Sequence, residues 1–255
     1  TIIDGQYATR CVNLQNRGVL DGFTVRHGRH ATHGPGINAI ANATVQNCVL
    51  LNNGTGTAVA GGGFYGANAG HVLSNCVFIG NRGSSGGGAY FSQGYLLENC
   101  VFISNTATSI GGGLFSYHGH VRNALFAHNT APQGGGLWIR SYLNSANTAV
   151  VENCTITRNT STTPSGALYC YVAARIYNTI AYGNIGGDVT NRDTAATYWN
   201  CCFGTRPPAQ FIGRDVITAD PRFLNPANGN FRLHALSPCI DAGTNRWVTA
   251  ASDLD

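Results

Sequence analysis

Residues 99–129 read NCVFISNTATSIGGGLFSYHGHVRNALFAHN, and this stretch decides the fold. It opens and closes on the same seven-residue row, NCVFISN at 99–105 and NALFAHN at 123–129. Working outward, the row recurs as NCVFIGN at 75–81, NCVLLNN at 47–53, NCTITRN at 153–159 and NTIAYGN at 178–184. Two asparagine columns result. One holds Asn47, Asn75, Asn99, Asn123, Asn153, Asn178 and then Asn200; the other holds Asn53, Asn81, Asn105, Asn129, Asn159 and Asn184. Successive rows lie 22 to 30 residues apart, and Asp21-Gly22 and the similar IDG ending at Gly5 are expected to mark earlier rungs, with Asp21 at the asparagine position.

A period of this length, carried by apolar alternation with no 3.6-residue rhythm, belongs to a β-solenoid. Asparagine tolerates the left-handed backbone region and hydrogen-bonds its own kind in the next rung, which suits a sharp turn repeated in register. Each row is followed by glycines: Gly61–Gly63, Gly86–Gly88, Gly111–Gly113, Gly134–Gly136, then Ser165-Gly166-Ala167. Glycine permits the turn dihedrals and close backbone approach needed there. The expected fold is all-β: a right-handed parallel β-helix of about 8–9 rungs of 22–30 residues, with strands about 4.8 Å apart and the usual hand of parallel crossovers. Residues 1–255 form one domain, in which 205–255 is an irregular C-terminal closing segment.

Composition narrows the function. The chain has 34 Gly and 26 Asn, no Lys and no Met. Without lysine there is no Schiff base, lysine base or isopeptide crosslink. Fifteen scattered Arg give a net charge of +4 with no basic run, a poor footprint for nucleic acid. No apolar run is long enough for a membrane helix. The missing Met leads us to expect a longer chain, preceded by an initiator segment.

Phe78-Ile-Gly-Asn81, Phe102-Ile-Ser-Asn105 and Phe126-Ala-His-Asn129 match an F-x-x-N element, and GGGF, GGGL and SGAL match GG-[AG]-[ILVF]. These resemble the repeats of bacterial polymorphic-outer-membrane-protein-like β-helices. Asp220-Pro-Arg-Phe-Leu-Asn-Pro and Ser237-Pro-Cys-Ile-Asp-Ala-Gly243 look like the closing segment of large secreted β-helix families, where the text usually runs on past a sequence such as Asp253-Leu-Asp255. The resemblance implies a secreted or bacterial cell-surface protein and a chain continuing beyond Asp255. It implies no single activity.

Cys48, Cys76, Cys100, Cys154 and Cys201 follow the first asparagine column, with Ala124 and Thr179 in two rungs. Stacked positions about 4.8 Å apart exceed the 3.8 Å typical between disulfide Cβ atoms, so buried free thiols are expected. Cys11, Cys170, Cys202 and Cys239 lie outside the column, and a bridge from Cys239 to Cys201 or Cys202 is left open. No C-x-x-C spacing occurs, and His27, His30 and His33, like His118 and His120, read as loop histidines; no metal and no cofactor are expected.

After each glycine group comes Tyr65, Tyr90, Phe115, Trp138 or Tyr169, preceded by Phe64, Ala89, Leu114, Leu137 or Leu168. Alternation puts the two columns on opposite faces. The aromatics are assigned outward, as an exposed stripe for a glycan, a surface protein or another copy of the chain, or else as rings that stack on one another or lie under loops. Glu98, Arg122 and Glu152 share one position on successive rungs. As a glycosidase pair the carboxylates would need one raised pKa, which an intervening Arg opposes; an ion-pair ladder is expected. Asp188, Arg192 and Asp193 form a fallback acidic site. The function that fits best is an extracellular structural or adhesive rod, with assembly into a fibre left open and a polysaccharide lyase or glycoside hydrolase as the alternative.

Overall fold

The computed structural model describes residues 1–55, 59–141, 148–171, 173–192, 196–205 and 212–244. Over these residues the chain is an all-β parallel solenoid of about eight turns. Three long sheets form its walls. Face 1, nine strands, includes Val49–Leu51, Val77–Ile79, Val101–Ile103 and Leu125–Ala127. Face 2, eight strands, includes Phe64–Gly66, Ala89–Phe91, Leu114–Tyr117, Leu137–Arg140 and Leu168–Cys170. Face 3, nine strands, includes His71–Ser74, Tyr95–Glu98, His120–Arg122, Ala149–Glu152 and Ala174–Tyr177.

The two asparagine columns make the two corners beside face 1 by different means. Asn47, Asn75, Asn99, Asn123, Asn153, Asn178 and Asn200 adopt φ between 45° and 54°, the left-handed conformation that turns face 3 into face 1. Their side chains link rung to rung, as from Asn178 Nδ2 to Asn153 Oδ1 at 3.0 Å. In the second column the residue before the asparagine takes the left-handed conformation, as at Asn52, Gly80, Ser104 and His128. Asn53, Asn81, Asn105, Asn129 and Asn159 are instead fully buried. From Asn81 onward each Oδ1 accepts from the backbone and side-chain amides of the preceding asparagine, while Asn53 Oδ1 accepts from Gly28 N at 2.9 Å, and each Nδ2 reaches a face 1 carbonyl: Asn81 N and Nδ2 to Asn105 Oδ1, both 3.0 Å, and Asn105 Nδ2 to Phe78 O, 2.9 Å.

The glycine groups turn the chain into face 2. Gly61, Gly86, Gly111 and Gly134 have φ from 60° to 66°. A Cβ on Gly112 would stand 2.3 Å from the Gly135 carbonyl oxygen, so the coils approach too closely there for any side chain.

Phe78, Phe102 and Phe126 stack inside face 1 with ring centroids 4.4 and 4.8 Å apart. Phe64, Ala89, Leu114, Leu137 and Leu168 fill the core from face 2, as the alternation requires. Cys48, Cys76, Cys100, Cys154 and Cys201 are buried free thiols. Cys154 Sγ donates to the Glu152 carbonyl two residues back, and Thr179 Oγ1 makes the same bond to Tyr177 O. Thr179 therefore fits the cysteine column because its hydroxyl serves the same carbonyl.

Two register expectations need correction. Asp21 pairs with Gln46, not Asn47, so Gly22, with φ 76°, occupies the turn position and Asp21 caps the column from one residue earlier, accepting from Asn47 Nδ2 at 2.8 Å. Asp4 pairs with Arg26, which aligns with Leu51, so IDG belongs to the corner after face 1.

Within 205–255, Ile212–Arg214 still pairs with face 3, while Phe223–Asn225 and Asn230–Leu233 form an antiparallel hairpin. The strap that follows is tied to the first asparagine column: Asn178 Nδ2 donates to Thr244 O at 2.9 Å and Asn200 Nδ2 to Ala242 O at 3.0 Å.

Candidate functional site

Tyr65, Tyr90, Phe115, Trp138 and Tyr169 point away from the core and lie in register on adjacent strands of face 2. They form one continuous stack, with centroids 5.1, 4.6, 4.8 and 5.9 Å apart in sequence order. His33 extends it, lying 4.6 Å from Tyr65. The direction agrees with the alternation, and of the two readings open in the sequence the rings stack on one another rather than standing as an exposed stripe. Phe115, Trp138 and Tyr169 are only 3, 5 and 8% exposed, because neighbouring rungs cover both ring faces and Ile110, Tyr117 and Tyr171 pack around them. Tyr65 and Tyr90 remain half-buried. Burial pushes the Tyr65 and Tyr169 phenols above their usual pKa. Because the ring faces are occupied by each other, a ligand on this surface meets ring edges and phenol hydroxyls.

A second column lies two residues further along the same strands. Tyr117 pairs with Arg140, and the ladder continues through the bonds from Tyr171 N to Ile139 O and from Arg192 N to Cys170 O. The Arg140 guanidinium lies over Tyr171 at 4.8 Å and Tyr117 at 5.6 Å, and that of Arg192 over Tyr171 at 4.4 Å. Aromatic and cation thus alternate rung by rung, a stabilising arrangement. Neither outward column contains an acidic residue. Among the described residues no ion pair involves Arg140 or Arg192, and Arg140 Nε and Trp138 Nε1 are buried without a hydrogen-bond partner. The sequence reading followed a single column; extending it by two positions would have found Tyr117, Arg140 and Tyr171.

The other candidate residues disperse. Glu98, Arg122 and Glu152 do align on face 3, where Arg122 Nε donates to Glu98 Oε2 at 2.9 Å. His120, expected in a loop, lies in a strand with Nε2 3.1 Å from Glu152 Oε1. Its strand position follows from the register that pairs it with Val150. Asp188 ends the buried asparagine ladder, its Oδ1 accepting from Asn184 N and Nδ2 at 3.0 and 2.9 Å, while Arg192 stacks on Tyr171. The fallback site is therefore split, and Asp193 lies outside the described residues. His27 pairs with Asp4, His30 with Arg10, and His33 Nδ1 accepts from Ala60 N. Each imidazole thus has a different partner, and no cluster with metal-ligating potential occurs among the described residues.

Among the described residues, concavities open on two parts of the surface that could hold a ligand. One, about 590 Å³, lies between the hairpin and face 1 and is bordered by Asn153, Asn178, Phe231, Cys202 and Cys239. There Cys202 Sγ donates to Ala219 O at 3.4 Å, and the neighbouring thiols shift each other, Cys239 below its ordinary pKa and Cys202 above it. The second, about 690 Å³, is bordered by Tyr7, Arg29 and His30. Among the described residues neither wall carries a carboxylate. Comparisons of the chain with protein-family models, with curated proteins and with solved structures found no match to any of them.

Proposed function

We propose that this protein is an extracellular structural or adhesive rod that binds glycan along the outer surface of face 2. The observation that carries the reading is the stack of outward rings, flanked by guanidiniums that have no acidic partner among the described residues. Rigidity supports it: a solenoid whose coils are tied by buried asparagines presents the same groups at regular intervals. The polymorphic-outer-membrane-protein-like repeats and the closing segment support a secreted or surface location on bacteria. A glycan lying along the axis would cross phenol hydroxyls and ring edges rung after rung, about 4.8 Å apart.

A lyase or hydrolase is the weaker reading, because Glu98 is engaged by Arg122, Glu152 by His120, and neither concavity supplies a carboxylate pair. A glycan array probed with the intact protein and with Tyr90→Ala tests the proposal. Binding that falls about tenfold in the variant is the expected result. No binding to any glycan, or binding indifferent to Tyr90→Ala, would overturn it.

A further inference from the structure

The column beside the ring stack points to the chemical class of the ligand. Arg140 and Arg192 are separated by one rung occupied by Tyr171, so their positions recur about 9.6 Å apart along the axis. Each guanidinium carbon lies over the Tyr171 ring, 4.8 Å from its centroid for Arg140 and 4.4 Å for Arg192. Stacking occupies the face of a guanidinium and leaves its N–H edge, the part that grips carboxylate or sulfate oxygens in a bidentate pair. Two cations with no acid beside them among the described residues form a positive strip, and at half-buried Arg140, partly desolvated by Tyr117 and Tyr171, an anion is worth more than at a fully hydrated arginine.

We infer that face 2 binds an acidic polysaccharide in which negative charge recurs at about every second sugar, with Arg140 and Arg192 as the anion-recognition residues. The inference rests on the glycan reading above and sharpens it. Nucleic acid fits the same strip poorly. Its charge recurs on every nucleotide, and an unstacked base needs a free aromatic face, whereas these ring faces are already taken by one another. A sugar chain needs hydroxyl and N–H partners spaced along an extended strand, which the Tyr65 and Tyr90 hydroxyls and the two guanidiniums supply.

The test is calorimetric titration of the protein with four probes of matched length: a uronate-alternating polymer of hyaluronan type, a sulfated glycosaminoglycan, a carboxyl-reduced version of the first, and single-stranded DNA. Arg140→Gln, Arg192→Gln and, as a charge-matched control on face 3, the exposed Arg175→Gln are compared with wild type. Arg192 is exposed, so its variant reports on binding without disturbing the fold, and unchanged circular dichroism checks this. Expected are binding to one or both acidic glycans, a loss of about tenfold for each of Arg140→Gln and Arg192→Gln, no loss for Arg175→Gln, and weakening by salt. The two acidic arms show whether carboxylate or sulfate is preferred. Equal binding of the carboxyl-reduced polymer, or unchanged affinity in both arginine variants, overturns the anion assignment and leaves the glycan reading standing. Preference for DNA overturns the assignment too, and failure to bind any glycan overturns both readings.

Discussion

Asn105→Ala should be among the most destabilising single substitutions in this protein. Asn105 is fully buried, and its side chain makes four hydrogen bonds of 2.9–3.0 Å: it accepts from Asn81 N and Asn81 Nδ2 and donates to Phe78 O and Asn129 Oδ1. Alanine leaves the Asn81 backbone N–H without that acceptor inside the wall, where an orphaned donor costs about 1–3 kcal/mol. Asn81 Nδ2 keeps Leu50 O, and Asn129 Oδ1 keeps the backbone N–H of residue 105, so each of the other three losses is nearer the ordinary net value of about 1 kcal/mol. The total is about 4–6 kcal/mol, much of the stability of a typical domain. Asn75→Ala is the internal comparison. Asn75 is exposed, makes one side-chain bond of 3.3 Å to Asn47, and loses chiefly its tolerance of φ 52°, so about 1–2 kcal/mol is expected. Urea unfolding followed by circular dichroism measures both. A cost below about 2 kcal/mol for Asn105→Ala, or one no larger than that of Asn75→Ala, would refute the claim that the second column ties the coils together.

Further tests address the core, the thiols and the ring stack. His71 is buried between Phe64 and Phe91, accepts from Ala43 N through Nδ1, and has its pKa lowered by burial to about 4. Its folded value lies below its unfolded one, so its contribution is present above pH 6.5 and lost as pH falls towards 4. An unfolding midpoint that declines over that window, with the decline abolished in His71→Phe, is expected. Cys154, Cys170 and Cys201 have thiol pKa values pushed up to about 12 by burial, whereas Cys239 is held low by the Cys202 thiol. Iodoacetamide at neutral pH should therefore label Cys239 first and the column only after unfolding, as peptide mass mapping would show. Gly112→Ala should destabilise strongly or prevent folding, because its Cβ meets the Gly135 and Thr130 carbonyls of the next coil; an unchanged midpoint would contradict the close approach. Trp138→Ala should cost about 3 kcal/mol or more of stability, because the ring is 5% exposed between Phe115 and Tyr169.

Much of the solenoid was legible because its repeats are written in residues with strong local preferences. Asn99 and Asn123 announce a left-handed turn, Gly111–Gly113 a close approach, and the pair Leu114-Phe115 an inside and an outside. The two asparagine columns looked alike in sequence, yet one serves by its φ and the other by its amide; spacing alone does not separate a turn residue from a buried ladder. Exposure was less legible than direction. Phe115 faces outward as alternation requires but is buried by its own column: stacking between rungs, one of the two readings open in the sequence, is what alternation alone cannot choose. The Tyr117–Arg140–Tyr171–Arg192 column escaped because its members differ in type from rung to rung, so no repeated letter marks it. In the sequence Asp188 stands with Arg192 and Asp193 as a fallback acidic site, whereas its Oδ1 ends the asparagine ladder where another asparagine would otherwise stand.

Hydroxyl-radical footprinting of the protein with and without an acidic polysaccharide shows where ligand lies on the solenoid. Ligand along face 2 protects Tyr65, Tyr90, Tyr117 and Tyr171 and leaves Trp199 on face 3 unchanged. Protection confined to face 3 or to the groove beside the C-terminal hairpin, with these four tyrosines reacting as in the free protein, would contradict that placement.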